Sequence, residues 1–455
     1  VQVNATSADA RPAPAPDSTQ ATSEAPSGRG GVVLAVAMGL GNLLSYVFVL
    51  ILTRALGPAG FGAYSALITL GIVLVIPAGA LQVVIARRWA HPSLRSSGLG
   101  LAARVGVALS VVTMLASPGV DALFHLGGLA PTIAMAFMLL PMTLTGAYQG
   151  VLLGSGAIAR LAALYVVTAA TRVAGALGCA AAGANVTEVF VVMALAAWCA
   201  AAFGWWASRD ALVGVGAGSD GLAREMWRSN STLAAFTALT NVDVVLVRHF
   251  LAPETSGAYG LASTFARAMC WGTQFLALLI VPRLAASSAS ASPADSGGAD
   301  SGGVASGDTA GAANGARALW RAAGFVLALG VVGCVVGSLL DADAVVASVG
   351  GHAFDGNGSL VIACLALGTV WALAQLWLFS QMAGDDTRLG MLTWVMVAVE
   401  LVAGWLWWHD SVWQIVTLAA ACAGVVVVAG AWRSRSRRVT HIEDAEDLLV
   451  LDHTS

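Results

Sequence analysis

Arg54-Ala55-Leu56-Gly57-Pro58-Ala59-Gly60-Phe61-Gly62-Ala63-Tyr64 interrupts two long apolar runs, and a second version follows Arg248 as Pro253-Glu254-Thr255-Ser256-Gly257-Ala258-Tyr259. Both copies read Pro-x-x-x-Gly-Ala-Tyr, at an offset of 195 residues from Pro58 to Pro253. Proline stops a helix, glycine allows the chain to reverse, and tyrosine suits a membrane surface. Each copy therefore reads as the turn of a transmembrane hairpin. The runs that these turns open close in arginine again, at Arg87-Arg88 and at Arg283. A repeat punctuated in this way makes the chain two related halves.

Composition sets the class. Of 455 residues, 58% are hydrophobic and 10% charged, with a mean hydropathy of +0.80. These values exclude a soluble globular domain and predict an all-α polytopic membrane protein surrounded by membrane lipids. The net charge of -3 decides little, because topology depends on where the positive residues sit. Every basic residue is arginine. The six cysteines lie inside apolar runs, where cysteine acts as a small hydrophobe, so neither disulfides nor a thiolate metal site is expected. No histidine falls mid-helix, and nothing points to a metal, a cofactor, a catalytic residue or a nucleic-acid partner.

Residues 1-30 are rich in Ala, Pro, Ser and Thr and read as a disordered cytoplasmic tail. They carry no signal-peptide pattern, so the first helix is expected to direct insertion. Apolar runs of about 20 residues, enough to cross a hydrocarbon core of about 30 Å, then follow. They lie near 32-54, 62-86, 98-117, 130-153, 159-182, 187-207, 229-250, 258-282, 318-339, 358-383, 388-409 and 412-432. The expectation is about 12 transmembrane helices in two lobes. Residues 31-207 form the N-terminal six-helix lobe, 208-228 a cytoplasmic linker, and 229-432 the C-terminal six-helix lobe. A disordered cytoplasmic insertion occupies 286-316, and 433-455 is a cytoplasmic tail.

A second match supports the two halves. Gly156-Ala157-Ile158-Ala159-Arg160-Leu161-Ala162-Ala163-Leu164 aligns with Gly384-Asp385-Asp386-Thr387-Arg388-Leu389-Gly390-Met391-Leu392 at an offset of 228. The offset has grown by about the length of the segment 286-316. With that segment set aside, the two lobes run in the same order and direction, a parallel internal repeat of the kind used by rocking-bundle transporters.

Placing the N-terminus in the cytoplasm puts Arg54 and Arg248 at outer helix ends and Arg104, Arg172 and Arg267 inside helices; every other arginine falls on the inner side. That asymmetry predicts a multi-pass protein with both termini cytoplasmic. The outer loops carry Asp121, Asp341, Asp343, Asp355 and Asp410, and tryptophans gather near both boundaries.

The loop Leu56 to Tyr64, the segment Asn241-Val242-Asp243-Val244-Val245-Leu246 leading into the second Pro-x-x-x-Gly-Ala-Tyr, and Val281-Pro282-Arg283-Leu284 together resemble the polysaccharide-biosynthesis (Wzx-like) flippases. Those belong to the multidrug/oligosaccharidyl-lipid/polysaccharide (MOP) exporter superfamily, and the resemblance covers most of 30-432. It implies a bacterial cytoplasmic-membrane protein that carries a polyprenyl-pyrophosphate-linked oligosaccharide between leaflets by alternating access. A polysaccharide polymerase and glycosyltransferases would be its partners, and a proton or sodium ion its coupling ion. A cation-coupled drug or metabolite antiporter of the same fold, and a non-transporting scaffold of a polysaccharide assembly complex, are the alternatives.

Ionised side chains deep in the bilayer cost about 2.5-3.5 kcal/mol on insertion scales, so each needs a reason to be there. Counted at 1.5 Å per residue from the outer ends, Arg172 lies about 15 Å deep, Arg267 and Glu400 about 14 Å, and Asp243 about 10 Å. One reading makes Arg172 and Arg267 the receivers of a pyrophosphate, whose oxygens suit a guanidinium fork. The other pairs Arg267 with Asp243 or Glu400 to hold helices together. Asp243 and Glu400 are also candidates for the coupling-cation site. Gln82 and Gln149, with Asn42, Asn241, Gln274, Gln375 and Gln381, either line a sugar path or hydrogen-bond between helices. Pro77 and Pro141 are expected to kink their helices.

Overall fold

A computed structural model of the chain describes residues 28-89, 95-216, 221-289, 304-382 and 387-452. It is helical, with no strand among the described residues. The first lobe contains α1 (Gly28–Leu74), α2 (Ile76–Trp89), α3 (Leu99–Leu115), the short α4 (Ser117–Phe124), α5 (Ala130–Gly154), α6 (Ile158–Ala182) and α7 (Val186–Leu212). The second contains α8 (Leu222–Leu239), α9 (Val242–Phe250), α10 (Pro253–Ala289), α11 (Val304–Leu339), the short α12 (Ala342–Gly350), α13 (Gly358–Met382), α14 (Arg388–Leu406) and α15 (Val412–Asp452). The polar segment 1-27 lies outside the described residues. Of 286-316, helix covers the start, to Ala289, and the end, from Val304, while 290-303 lies outside.

Although α1 is one unbroken run of helix, it is a hairpin. Gly57 sits at φ 64°, ψ 179°, a non-helical conformation that a residue with a Cβ resists. Sixteen residues of straight helix would separate Phe48 from Tyr64 by about 24 Å, yet their ring centroids are 6.2 Å apart. The chain therefore folds back at Gly57-Pro58. In the second lobe the reversal falls at Leu251, extended at φ -108°, ψ 164°, before Pro253 starts α10. The side of the bundle holding both turns is called the hairpin end below; the sequence reading makes it the outer side.

Among the described residues nine helices are long and apolar enough to cross a membrane, and the α3–α4 pair, bent by 59°, makes ten. The first of these runs, 31–89, crosses twice because of its turn, and α10 with 37 residues adds another. The twelve-helix, two-lobe layout thus fits.

Two features were not foreseen, and the two expected proline kinks differ in outcome. The third span ends in a bent short helix, α4, matched in the second lobe by α12 after α11. The seventh span is broken at Thr240-Asn241, between α8 and α9. Pro141 lies within an uninterrupted α5, whereas Pro77 follows a real break at Val75, between α1 and α2.

Candidate functional site

The two Pro-x-x-x-Gly-Ala-Tyr copies meet face to face at the hairpin end. A Cβ on Gly62 would lie 2.8 Å from the Gly257 nitrogen and 2.9 Å from the Pro253 carbonyl oxygen, and one on Gly257 would overlap the Pro58 carbonyl. One turn deeper, Gly260 rests on Ser65. Each lobe thus presents the same small-residue stripe to the other, which lets the two backbones touch. Phe61, Tyr64, Tyr259 and Leu261 are buried around this seam, and one continuous apolar core runs through it from lobe to lobe.

Just beneath the seam lie the predicted ionisable residues, arranged by the repeat. The offset of 195 carries Phe48 onto Asp243 and Tyr64 onto Tyr259; the offset of 228 carries Arg172 onto Glu400. In the first lobe these positions form a cationic node. The Arg172 guanidinium carbon stands 5.2 Å from the centroid of the Phe48 ring, and Phe48 meets Tyr64 edge-on. Arg172 is half-buried and has no hydrogen bond or ion pair among the described residues.

In the second lobe the same positions form an acidic node. The Tyr259 hydroxyl donates to Asp243 Oδ2, and Asp243 is fully buried. Glu400, equally buried, comes from α14, which packs on α9, the helix of Asp243. Asp243 Oδ1 and both Glu400 oxygens have no hydrogen-bond partner among the described residues. Burying even one unpaired carboxylate charge costs several kcal/mol, so the neutral form of each acid is favoured by its surroundings.

Arg267 does something other than pair with these acids. Its Nη2 donates to the Thr240 carbonyl at 3.3 Å and to Asn241 Oδ1 at 3.1 Å, and its Nη1 to Ser263 Oγ at 3.0 Å. No carboxylate lies within 4 Å of it among the described residues. The break between α8 and α9 frees backbone carbonyls, and Arg267 satisfies one of them while fixing the turn that carries Asp243. Arg267→Ala is accordingly expected to lower stability by about 2-3 kcal/mol, the value of charge-assisted hydrogen bonds. A melting curve of the purified chain checks this; unchanged melting together with lost substrate binding would return Arg267 to the substrate-receiving role.

Gln82 donates from Nε2 to the Tyr165 hydroxyl at 2.9 Å. Tyr165 lies seven residues, about 10 Å, before Arg172 on the same face of α6, with half-buried Thr168 between them. That face forms a polar line leading from the cationic node away from the hairpin end. Gln149 is half-buried on α5 beside Gly150, which rests on the Gln82 backbone. Arg104 turns back along its own helix to the Gly100 carbonyl, and the side chains of Gln274 and Gln381 lie outside the described residues. The residue-by-residue reading missed Phe48, Tyr64 and Tyr259; carrying the two offsets through to the charged positions would have found them.

No family model and no curated protein matches the sequence. Solved structures do match in fold. An inward-facing conformation of a multidrug resistance MATE family transporter of the MOP superfamily superposes with a TM-score of 0.67 at 13% identity, over 91% of this chain and 99% of that one. An outward-facing conformation of such a transporter gives 0.56 at 14% identity, over 91% and 96%. A MOP superfamily transporter from Pyrococcus furiosus Vc1 (DSM3638), described as having a binding pocket of reverse polarity, gives 0.53 at 13% identity, over 91% and 95%. The fold is the one these transporters share.

Proposed function

We propose that the chain is a bacterial cytoplasmic-membrane transporter, not an enzyme, that carries an anionic lipid-linked oligosaccharide between leaflets by alternating access. The observation that carries this reading is the polarity of the two repeat-related nodes. Among the described residues the first lobe holds a guanidinium in no ion pair, and the second holds two carboxyls in no ion pair, with Arg267 bound to the neighbouring Thr240-Asn241 turn. A planar fork suits the oxygens of a polyprenyl pyrophosphate, and the polar line from Arg172 to Gln82 and Gln149 offers hydroxyl and amide groups to a sugar. Asp243, Glu400 and Tyr259 supply the coupling site. A proton is taken as the coupling ion, because protonation removes the charge of a buried carboxyl without needing further ligands. In the topology set by the arginines, both termini are cytoplasmic and the sealed hairpin end faces outward.

Alternating access follows from the seam. With the hairpin end shut, Arg172 is half-buried and Asp243 and Glu400 are enclosed; parting Gly62 from Gly257 would open the nodes outward. The resemblance of the Leu56 to Tyr64 loop and the Asn241 to Tyr259 segment to Wzx-like flippases favours the lipid-linked glycan, with a polymerase and glycosyltransferases as partners. A second reading, export of drugs or metabolites in exchange for a cation, is favoured by the multidrug MATE structures among the fold neighbours. Reconstituted vesicles loaded with a short-chain polyprenyl-pyrophosphate oligosaccharide separate the two. The glycan is expected to become accessible to an outside lectin only with the protein present. Cationic-drug uptake without glycan movement would overturn the flippase reading.

A further inference from the structure

The two arginines that break the inner-side pattern, Arg54 and Arg248, sit at the hairpin end, and each reaches into the opposite lobe. Arg54, beside the turn of the first lobe, donates from Nε to the Val349 carbonyl at 3.2 Å and from Nη2 to the Ser348 carbonyl. Those lie in the last turn of α12, in the second lobe. Arg248, at the end of α9 in the second lobe, donates from Nε to the Phe124 carbonyl at 2.8 Å and from Nη2 to the His125 carbonyl at 3.4 Å. Those residues end α4, in the first lobe. The neighbouring His249 donates from Nδ1 to the Leu123 carbonyl at 2.8 Å, and its ring stacks on that of His125.

The carbonyls at a helix C-terminus have no partner within the helix and carry the negative end of its dipole. The short helices α4 and α12 bring those ends to the lobe boundary, and each receives a guanidinium from the other side. The exchange is reciprocal, as the parallel repeat requires. We infer that Arg54 and Arg248 are positioning residues, a crossed pair of latches that holds the hairpin end closed and sets the balance between the two access states. Both contacts join residues of different lobes, so neither can survive a separation of the lobes. Both are also uncharged on the accepting side, so they can release without leaving a buried carboxylate behind.

This inference rests on the alternating-access reading, but its test needs no substrate and so can fail separately. In the full chain with its six cysteines replaced, Ser256→Cys places a thiol inside the seam, where Ser256 is 1% exposed. Ser208→Cys places a control thiol on α7 in the first lobe, where Ser208 is fully buried. Labelling by a water-soluble maleimide in lipid nanodiscs is then followed in wild type, Arg54→Ala, Arg248→Ala and the double variant. Each single change is expected to raise the Ser256→Cys rate on the order of tenfold, the worth of a charge-assisted hydrogen bond. The double change should raise it further, with Ser208→Cys still protected. Unchanged rates in all three variants overturn the latch, and so does an equal rise at Ser208→Cys, which would mean general loosening.

Discussion

A Gly257→Leu chain is expected to lose at least nine-tenths of its transport while remaining folded, because it can no longer shut the hairpin end. Gly257 lies within α10, and a Cβ there would overlap the Pro58 carbonyl across the lobe boundary. Backbone is the obstacle, so no side-chain rotation can relieve the clash. Overpacking costs about 1-3 kcal/mol in an ordinary core and more against rigid backbone. A cost of about 3 kcal/mol, borne by the closed state alone, shifts the access equilibrium by more than a hundredfold. The sign is informative at the level of helix propensity too. Gly257→Ala should strengthen an isolated helix by about 1 kcal/mol, so any loss from that milder change has to come from the seam. Hydrogen exchange of the backbone at 58-64 and 253-259 measures the result. Faster exchange in both segments is expected, and exchange and transport at wild-type levels would show that the lobes do not close through these glycines.

The second large effect is expected at the two nodes, and it should be opposite in kind. Arg172→Ala removes the unpaired guanidinium that faces Phe48 and is expected to reduce substrate binding on the order of a hundredfold. Melting should stay within a few degrees, since no hydrogen bond or ion pair of Arg172 is lost. Arg172→Lys should also be impaired, because it keeps the charge but loses the fork. Asp243→Asn and Glu400→Gln are expected to leave binding in place and abolish transport driven by a proton gradient, because an amide cannot take up and release the proton. Neither should unfold the chain; an amide removes the cost of a buried charge while keeping the volume. Equilibrium binding, gradient-driven transport and melting, measured together on the four variants, separate the roles. Gradient-driven transport that survives in both acid variants would remove the second-lobe node from the coupling cycle.

The membrane class, the twelve spans and the two halves were legible in the sequence because each depends on local quantities. Run length, hydropathy and the placement of arginine need no knowledge of neighbours, and Gly57-Pro58 or Pro253 marks a turn by its own backbone limits. The ionisable residues inside the apolar runs were legible for the same reason, since a charge in an apolar stretch is visible without knowledge of its neighbours. What each charge does was decided by the tertiary structure. Arg267 could have met Asp243 or Glu400 at the same depth, but the break at Thr240-Asn241 offers it freed carbonyl and amide oxygens instead. Arg172 and Glu400 share a depth and a place in the repeat, yet they lie in different lobes, each beside the first hairpin of its own half. The glycines of Pro-x-x-x-Gly-Ala-Tyr read as part of a turn, while their closest contact is with each other across the lobe boundary. Arg54 and Arg248 stood out as exceptions to the inner-side rule, and only the crossing of α4 and α12 toward the opposite lobe gives those exceptions partners. Local sequence sets which segments cross the membrane; contacts between residues hundreds apart depend on how two lobes lean on each other, and that lean is a property of the packed whole.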